Sequence, residues 1–79
     1  MRIVREMIQG EIRVSIFHWN NKYLIKFERG PLEQTYKVPE YEIAGEAGLI
    51  ALATGGMMVQ CIEIFDRMET NWRKALDCE

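Results

Sequence analysis

From Arg2 to Val38 apolar and polar residues alternate with a period of two, and from Gly56 onward apolar residues recur every three or four positions. The first rhythm belongs to strands, whose successive side chains point to opposite faces, and the second to a helix with one apolar stripe. The change falls at Pro39, which has no N–H to give to a ladder and so ends a strand.

The strongest local pattern is Ile12–Trp19, then Asn20-Asn21, then Lys22–Glu28. Asparagine tolerates positive φ, so Asn-Asn suits the two-residue turn of a hairpin. That loop sets Trp19 opposite Lys22, His18 opposite Tyr23, Phe17 opposite Leu24, Ile16 opposite Ile25, Val14 opposite Phe27 and Arg13 opposite Glu28. One face then carries Val14, Ile16, Ile25 and Phe27. The other carries an Arg13–Glu28 ion pair, Ser15 beside Lys26, Phe17 beside Leu24, and a cation–π contact of Lys22 with Trp19. A turn at Arg29-Gly30-Pro31-Leu32, closed with either two or four loop residues, places Glu28 opposite Glu33, Ile25 opposite Tyr36 and Tyr23 opposite Val38. Upstream, Arg2–Ile8 reads as a further strand. Gly10 is a turn in the favoured reading, giving a four-stranded antiparallel meander; as a bulge in one bent strand it would leave three.

After Pro39 the residues are small: Ala44, Gly45, Ala47, Gly48, Ala51 and Ala53. A short helix around Glu46 to Ala53 is the expectation, against the helix-weakening glycines. Gly55-Gly56 ends it. A long helix follows from about Met57 to Asp77, with a stripe of Met58, Cys61, Ile62, Phe65, Met68, Trp72, Ala75 and Leu76. Glu63 with Arg67 and Glu69 with Arg73 are spaced as supporting i, i+4 pairs. The expected class is α+β: a meander, a short helical segment, and one long C-terminal helix packed on one sheet face, in a single domain over 1–79.

Composition narrows the chemistry. With 79 residues, 48% apolar and 28% charged, the chain is globular, and its net charge of -2 speaks against a general nucleic-acid or anionic-membrane binder. The uncharged run Ala47–Gln60 is too short to span a bilayer, and the charged N-terminus is unlike a signal peptide, so a cytoplasmic chain without a membrane span is expected. Cys61 and Cys78 have neither metal-ligand spacing nor the density of a disulfide scaffold. A core this small is marginal without a staple, which makes self-association the expected one.

No residue pattern carries catalysis. His18 is the sole histidine, and nothing in the sequence sets a nucleophile beside it; an edge-of-core ring with one nitrogen in water is the simpler reading. Cys61 falls on the apolar stripe and behaves there as a small hydrophobe. Cys78 is read as an uninvolved end residue. Glu40, Glu42 and Glu46 cluster without a metal-binding pattern, and Gly55-Gly56 lacks the Lys or Ser/Thr of a phosphate loop. The expectation is a non-enzyme with no cofactor, no metal and no small-molecule substrate.

One feature exceeds a plain core-and-surface pattern. Met1–Pro39 holds seven Lys and Arg against four Glu, a balance of +3, while Glu40–Glu79 holds three against eight, a balance of -5. On the face opposite the core row, Phe17, Trp19 and Leu24 lie among Arg13, Lys22, Lys26 and Lys37. Aromatics among cations on a sheet can stack single-stranded nucleic acid. The same residues can form an apolar-centred protein interface, or the short segment around Leu49 to Ala53 can fold over them. The acidic total with Glu28 and Glu33 makes the nucleic-acid reading the weakest of the three. A homodimer or protein partner docking on Phe17, Trp19, Leu24, Lys22 and Lys26 is therefore expected.

The runs Phe17–Glu28 and Leu32–Pro39 resemble small uncharacterised bacterial proteins of about this length. The resemblance covers the sheet half, implies a self-contained domain, and implies no activity.

Overall fold

Three two-residue turns fold the first half of the chain into an open antiparallel sheet ordered β1 (Arg2–Gln9), β2 (Ile12–Trp19), β3 (Lys22–Arg29) and β4 (Leu32–Pro39). This is a computed structural model, and it describes residues 1–77. Asn20 and Asn21 have φ of 54° and 63°, the paired left-handed residues of a type I′ turn, whose twist matches that of the strands. Gly10 (φ 60°) and Gly30 (φ 58°) open the other two turns, so Gly10 is a turn and the sheet has four strands. The β2–β3 and β3–β4 registers place Trp19 opposite Lys22, Ile16 opposite Ile25, Ile25 opposite Tyr36 and Glu28 opposite Glu33, as the alternation requires. A bulge does occur, but inside β1, where the register shifts between Ile3 and Arg5.

Past Pro39 a 3-10 turn (Glu40–Glu42) leads to α1 (Gly45–Thr54) and α2 (Gly56–Asp77), whose axes bend by 40° at Gly55. The two helices cover one face of the sheet together. Leu49 and Ala53 of α1 and Met58, Cys61 and Phe65 of α2 close over Ile12, Val14, Ile16, Tyr23, Ile25 and Phe27. Because Leu49 and Ala53 are fully buried in this core, α1 does not fold over Phe17 and Trp19, and intramolecular cover of the outer face is ruled out. Among the described residues no single helix is long and apolar enough to cross a membrane.

The stripe on α2 is only partly buried. Met68 is half-buried, but Ile62, Trp72, Ala75 and Leu76 are exposed, Trp72 at 48% and Leu76 at 53%. An eight-residue strand is about 26 Å long, whereas 22 helical residues extend about 33 Å, and α1 already occupies the first part of the sheet. The last turns of α2 therefore overhang the sheet, which contributes to a longest dimension of 45 Å. Cys78 lies outside the described residues.

Polar contacts fix α2 over β3 and β4. Gln34, buried on β4, donates from Nε2 to the Cys61 carbonyl at 3.1 Å and accepts from the Tyr36 hydroxyl at 2.6 Å. Arg29 at the end of β3 donates to Asp66 (3.1 Å) and Glu69 (3.3 Å). Glu69 also pairs with Arg73, whereas Glu63 and Arg67 do not come within ion-pair distance.

Candidate interaction surface

The outer face of the sheet is built by the strand register. Ile3, Phe17, Leu24 and Lys37 form one cross-strand row, and Trp19, Lys22 and Pro39 form the row beside it. Phe17 and Leu24 are half-buried by their neighbours, while Trp19 is 49% exposed and Ile3 58% exposed. The Lys22 ammonium sits 5.7 Å from the Trp19 ring centroid, which holds the indole against the sheet. No helix lies over these residues, so an apolar patch faces water where an antiparallel sheet ordinarily presents polar side chains.

Two of the four cations around the patch, Lys26 and Arg13, have carboxylate partners among the described residues, and Lys22 and Lys37 do not. Lys26 lies 3.8 Å from Glu28, and Arg13 reaches Glu6 on β1 at 3.4 Å. Arg13 is opposite Glu28 as the register demands, yet its ion pair is with Glu6, on the other neighbouring strand. Ser15 is buried between Glu6 and Lys26 on this face. Phe17, Trp19, Leu24, Lys22 and Lys26 are thus brought together as the spacing predicts, with less free positive charge than the residue count implies.

Ile3 joins the patch beyond the residues that the hairpin register supplies. Strict alternation puts Ile3 and Val4 on opposite faces, but the bulge decides which one joins the core: Val4 packs inward and Ile3 turns outward beside Phe17. The order of residues in β1 does not mark it, because adjacent apolar pairs occur at both Ile3-Val4 and Met7-Ile8.

Of the titratable groups, His18, Glu40, Glu46 and Cys61 are engaged structurally. His18 stacks on Tyr23 with centroids 4.7 Å apart, and its Nε2 is 2.8 Å from Glu40 Oε2. Arg2 donates to Glu46 at 2.7 Å. Glu40 and Glu46 are therefore drawn to separate cationic or imidazole partners rather than toward one centre. Burial pushes the Cys61 thiol above its ordinary value, partly offset by Tyr36, which leaves it protonated at neutral pH. At the opposite end of the molecule, the overhanging Trp72 and Leu76 face Pro31 and Leu32 across an open groove of about 460 Å³, flanked by Arg29 and Glu69.

Comparison of the chain with known protein families, characterised proteins and solved structures gives no match.

Proposed function

We propose that this chain is a small, non-enzymatic cytoplasmic interaction module that docks a protein surface, a second copy or another chain, on the outer face of its sheet. The supporting observation is the apolar row of Ile3, Phe17 and Leu24 with the adjoining Trp19, on the face that neither helix covers. Its centre is apolar and its rim polar, with Lys22 and Lys26 at the border, the layout of a protein interface. Burying Trp19 and Phe17 supplies large contact area from side chains already held in place by strand pairing. The pairing of Lys26 with Glu28 and Arg13 with Glu6 weakens the rival reading, a platform for single-stranded nucleic acid.

Light scattering of wild type and of Phe17→Ser/Trp19→Ser tests the reading, together with an oligonucleotide shift assay at two salt concentrations. The double variant is expected to keep its strand content and lose association mediated by this face. Tight oligonucleotide binding that collapses as salt rises would instead establish the nucleic-acid reading.

A further inference from the structure

The two open edges of the sheet differ. β1 carries the bulge at Val4, a device that spoils strand addition, whereas β4 runs from Leu32 to Pro39 without one. Backbone groups along β4 alternate between facing β3 and facing outward. The Glu40 N–H still donates to the Asn21 carbonyl at 3.2 Å, so the even-numbered residues turn inward. Glu33, Thr35 and Lys37 therefore each leave one N–H and one C=O on the open edge. The next outward positions on either side are Pro31 and Pro39, which have no N–H to offer. The edge is a short pairing segment with a proline at each end, centred on Thr35.

We infer that β4 pairs antiparallel with β4 of a second copy about a two-fold axis at Thr35, joining two sheets into one. In this register Thr35 faces its own equivalent, Glu33 faces Lys37 of the other copy, and the two prolines coincide beyond the last bonds. Each outward N–H and C=O of Glu33, Thr35 and Lys37 finds a partner. On the inner face Gln34 meets Tyr36, and Leu32 meets Val38. The interface is isologous, closing at two copies rather than growing into a fibre.

Charge selects this register. Within one chain Glu33 is opposite Glu28, a like-charge neighbour, and Glu28 already has Lys26. Among the described residues neither Glu33 nor Lys37 has an oppositely charged side chain within 4.0 Å. A lone edge lysine discourages arbitrary strand addition, and only a strand that sets a carboxylate opposite it relieves that cost. The two-fold register does so twice.

The helix layer agrees. Asp66 and Glu69 flank the buried stripe of α2 on the β3 side, where they reach Arg29. At about 100° per residue, Ile64 leaves the helix on the opposite flank from Asp66, away from Arg29. It is 40% exposed there. Pairing of β4 with its equivalent brings the two α2 helices alongside each other with Ile64 between them, giving the sheet junction an apolar roof.

Charge exchange provides the test, read by light scattering and sedimentation with circular dichroism as the folding control. Wild type is expected to be a dimer. Glu33→Lys and Lys37→Glu each set like charges opposite one another twice, and each should raise the dimer Kd by roughly tenfold or more while the fold persists. Mixing the two variants should produce a heterodimer, because one chain then presents only cations and the other only carboxylates. Glu33→Lys/Lys37→Glu in one chain should restore the homodimer. In a Cys78→Ser background, Thr35→Cys should oxidise to a cross-linked dimer, since facing residues in such a pair lie within disulfide reach. Phe17→Ser/Trp19→Ser should leave this dimer intact, so the edge and the outer face fail separately. A wild-type monomer at high micromolar concentration would overturn the inference. Single-charge variants that dimerise like wild type would do so as well.

Discussion

The guanidinium of Arg29 lies 5.3 Å from the centroid of the Phe65 ring, capping the buried end of the core with a cation. The contact joins the last residue of β3 to the middle of α2. Asp66 and Glu69, both on the β3 side of α2, hold the same guanidinium by its two terminal nitrogens. Sheet and helix are thereby locked where the helix begins to leave the sheet.

Arg29→Gln should cost about 1–2 kcal/mol, the sum of a partly desolvated cation–π contact and ion pairs whose carboxylates are largely or partly exposed. Arg29→Lys should recover only part of that loss, because an ammonium cannot lie flat on the ring and serve two carboxylates at once. Urea midpoints for the two variants check both statements.

Phe65→Ala should cost about 3–5 kcal/mol, since the ring is fully buried against the sheet. Against a typical stability of about 5–15 kcal/mol, this leaves a domain near its unfolding limit at room temperature. A thermal midpoint within a degree or two of wild type would show that α2 is not packed as described.

Gly55 at the bend and Gly48 within α1 should respond to alanine with opposite signs. A Cβ on Gly55 would lie 2.9 Å from the Ala51 carbonyl oxygen, so Gly55→Ala must displace backbone at the bend and should cost about 1–3 kcal/mol. A Cβ on Gly48 would meet only Ala44 Cβ, at 4.0 Å. Gly48→Ala should therefore stabilise by about 0.5–1 kcal/mol through lower chain entropy and higher helix propensity. Thermal melts of both variants provide the comparison.

Alkali should unfold the domain earlier than the growing net negative charge alone requires. Burial raises the Tyr36 phenol above its usual 10.0, with a further push from Cys61, and burial raises the Cys61 thiol above its usual 9.0. Both groups hold their protons in the folded chain when the unfolded chain has begun to release them. The stabilisation is full below pH 9 and is lost as pH climbs through the raised values. Urea midpoints should be flat to about pH 8 and fall beyond about pH 9. Tyr36→Phe should be less stable at neutral pH, having lost its bond to Gln34, but should show a shallower alkaline decline.

The hairpin from Ile12 to Glu28 was legible pair by pair because Asn20-Asn21 sets the loop length, and a slip of one residue would turn Val14, Ile16 and Phe27 out of the core. The outer patch followed from the same register. α1 was harder: its residues are small or apolar on every side, so no contrast between faces marks which one packs. Trp72 and Leu76 share the packed stripe by period yet lie exposed, for a different reason. Periodicity tells which residues share a helix face, but not how far the opposing sheet extends beneath it. The bulge that sends Ile3 outward depends on how β1 pairs with β2, and alternation within β1 alone does not encode that.

The order of elements along the chain has a consequence for synthesis. All four strands precede both helices, so the sheet leaves the ribosome with Val14, Ile16, Ile25 and Phe27 on a face that has nothing yet to cover it. The chain must be extended through Phe65 before α2 can dock, and at about 5–20 residues per second that interval lasts on the order of seconds. During it the nascent hairpins expose the core row on one side and the Phe17–Trp19 patch on the other. This brief intermediate, bare on both faces, is the form of the molecule that a ribosome-associated chaperone would meet.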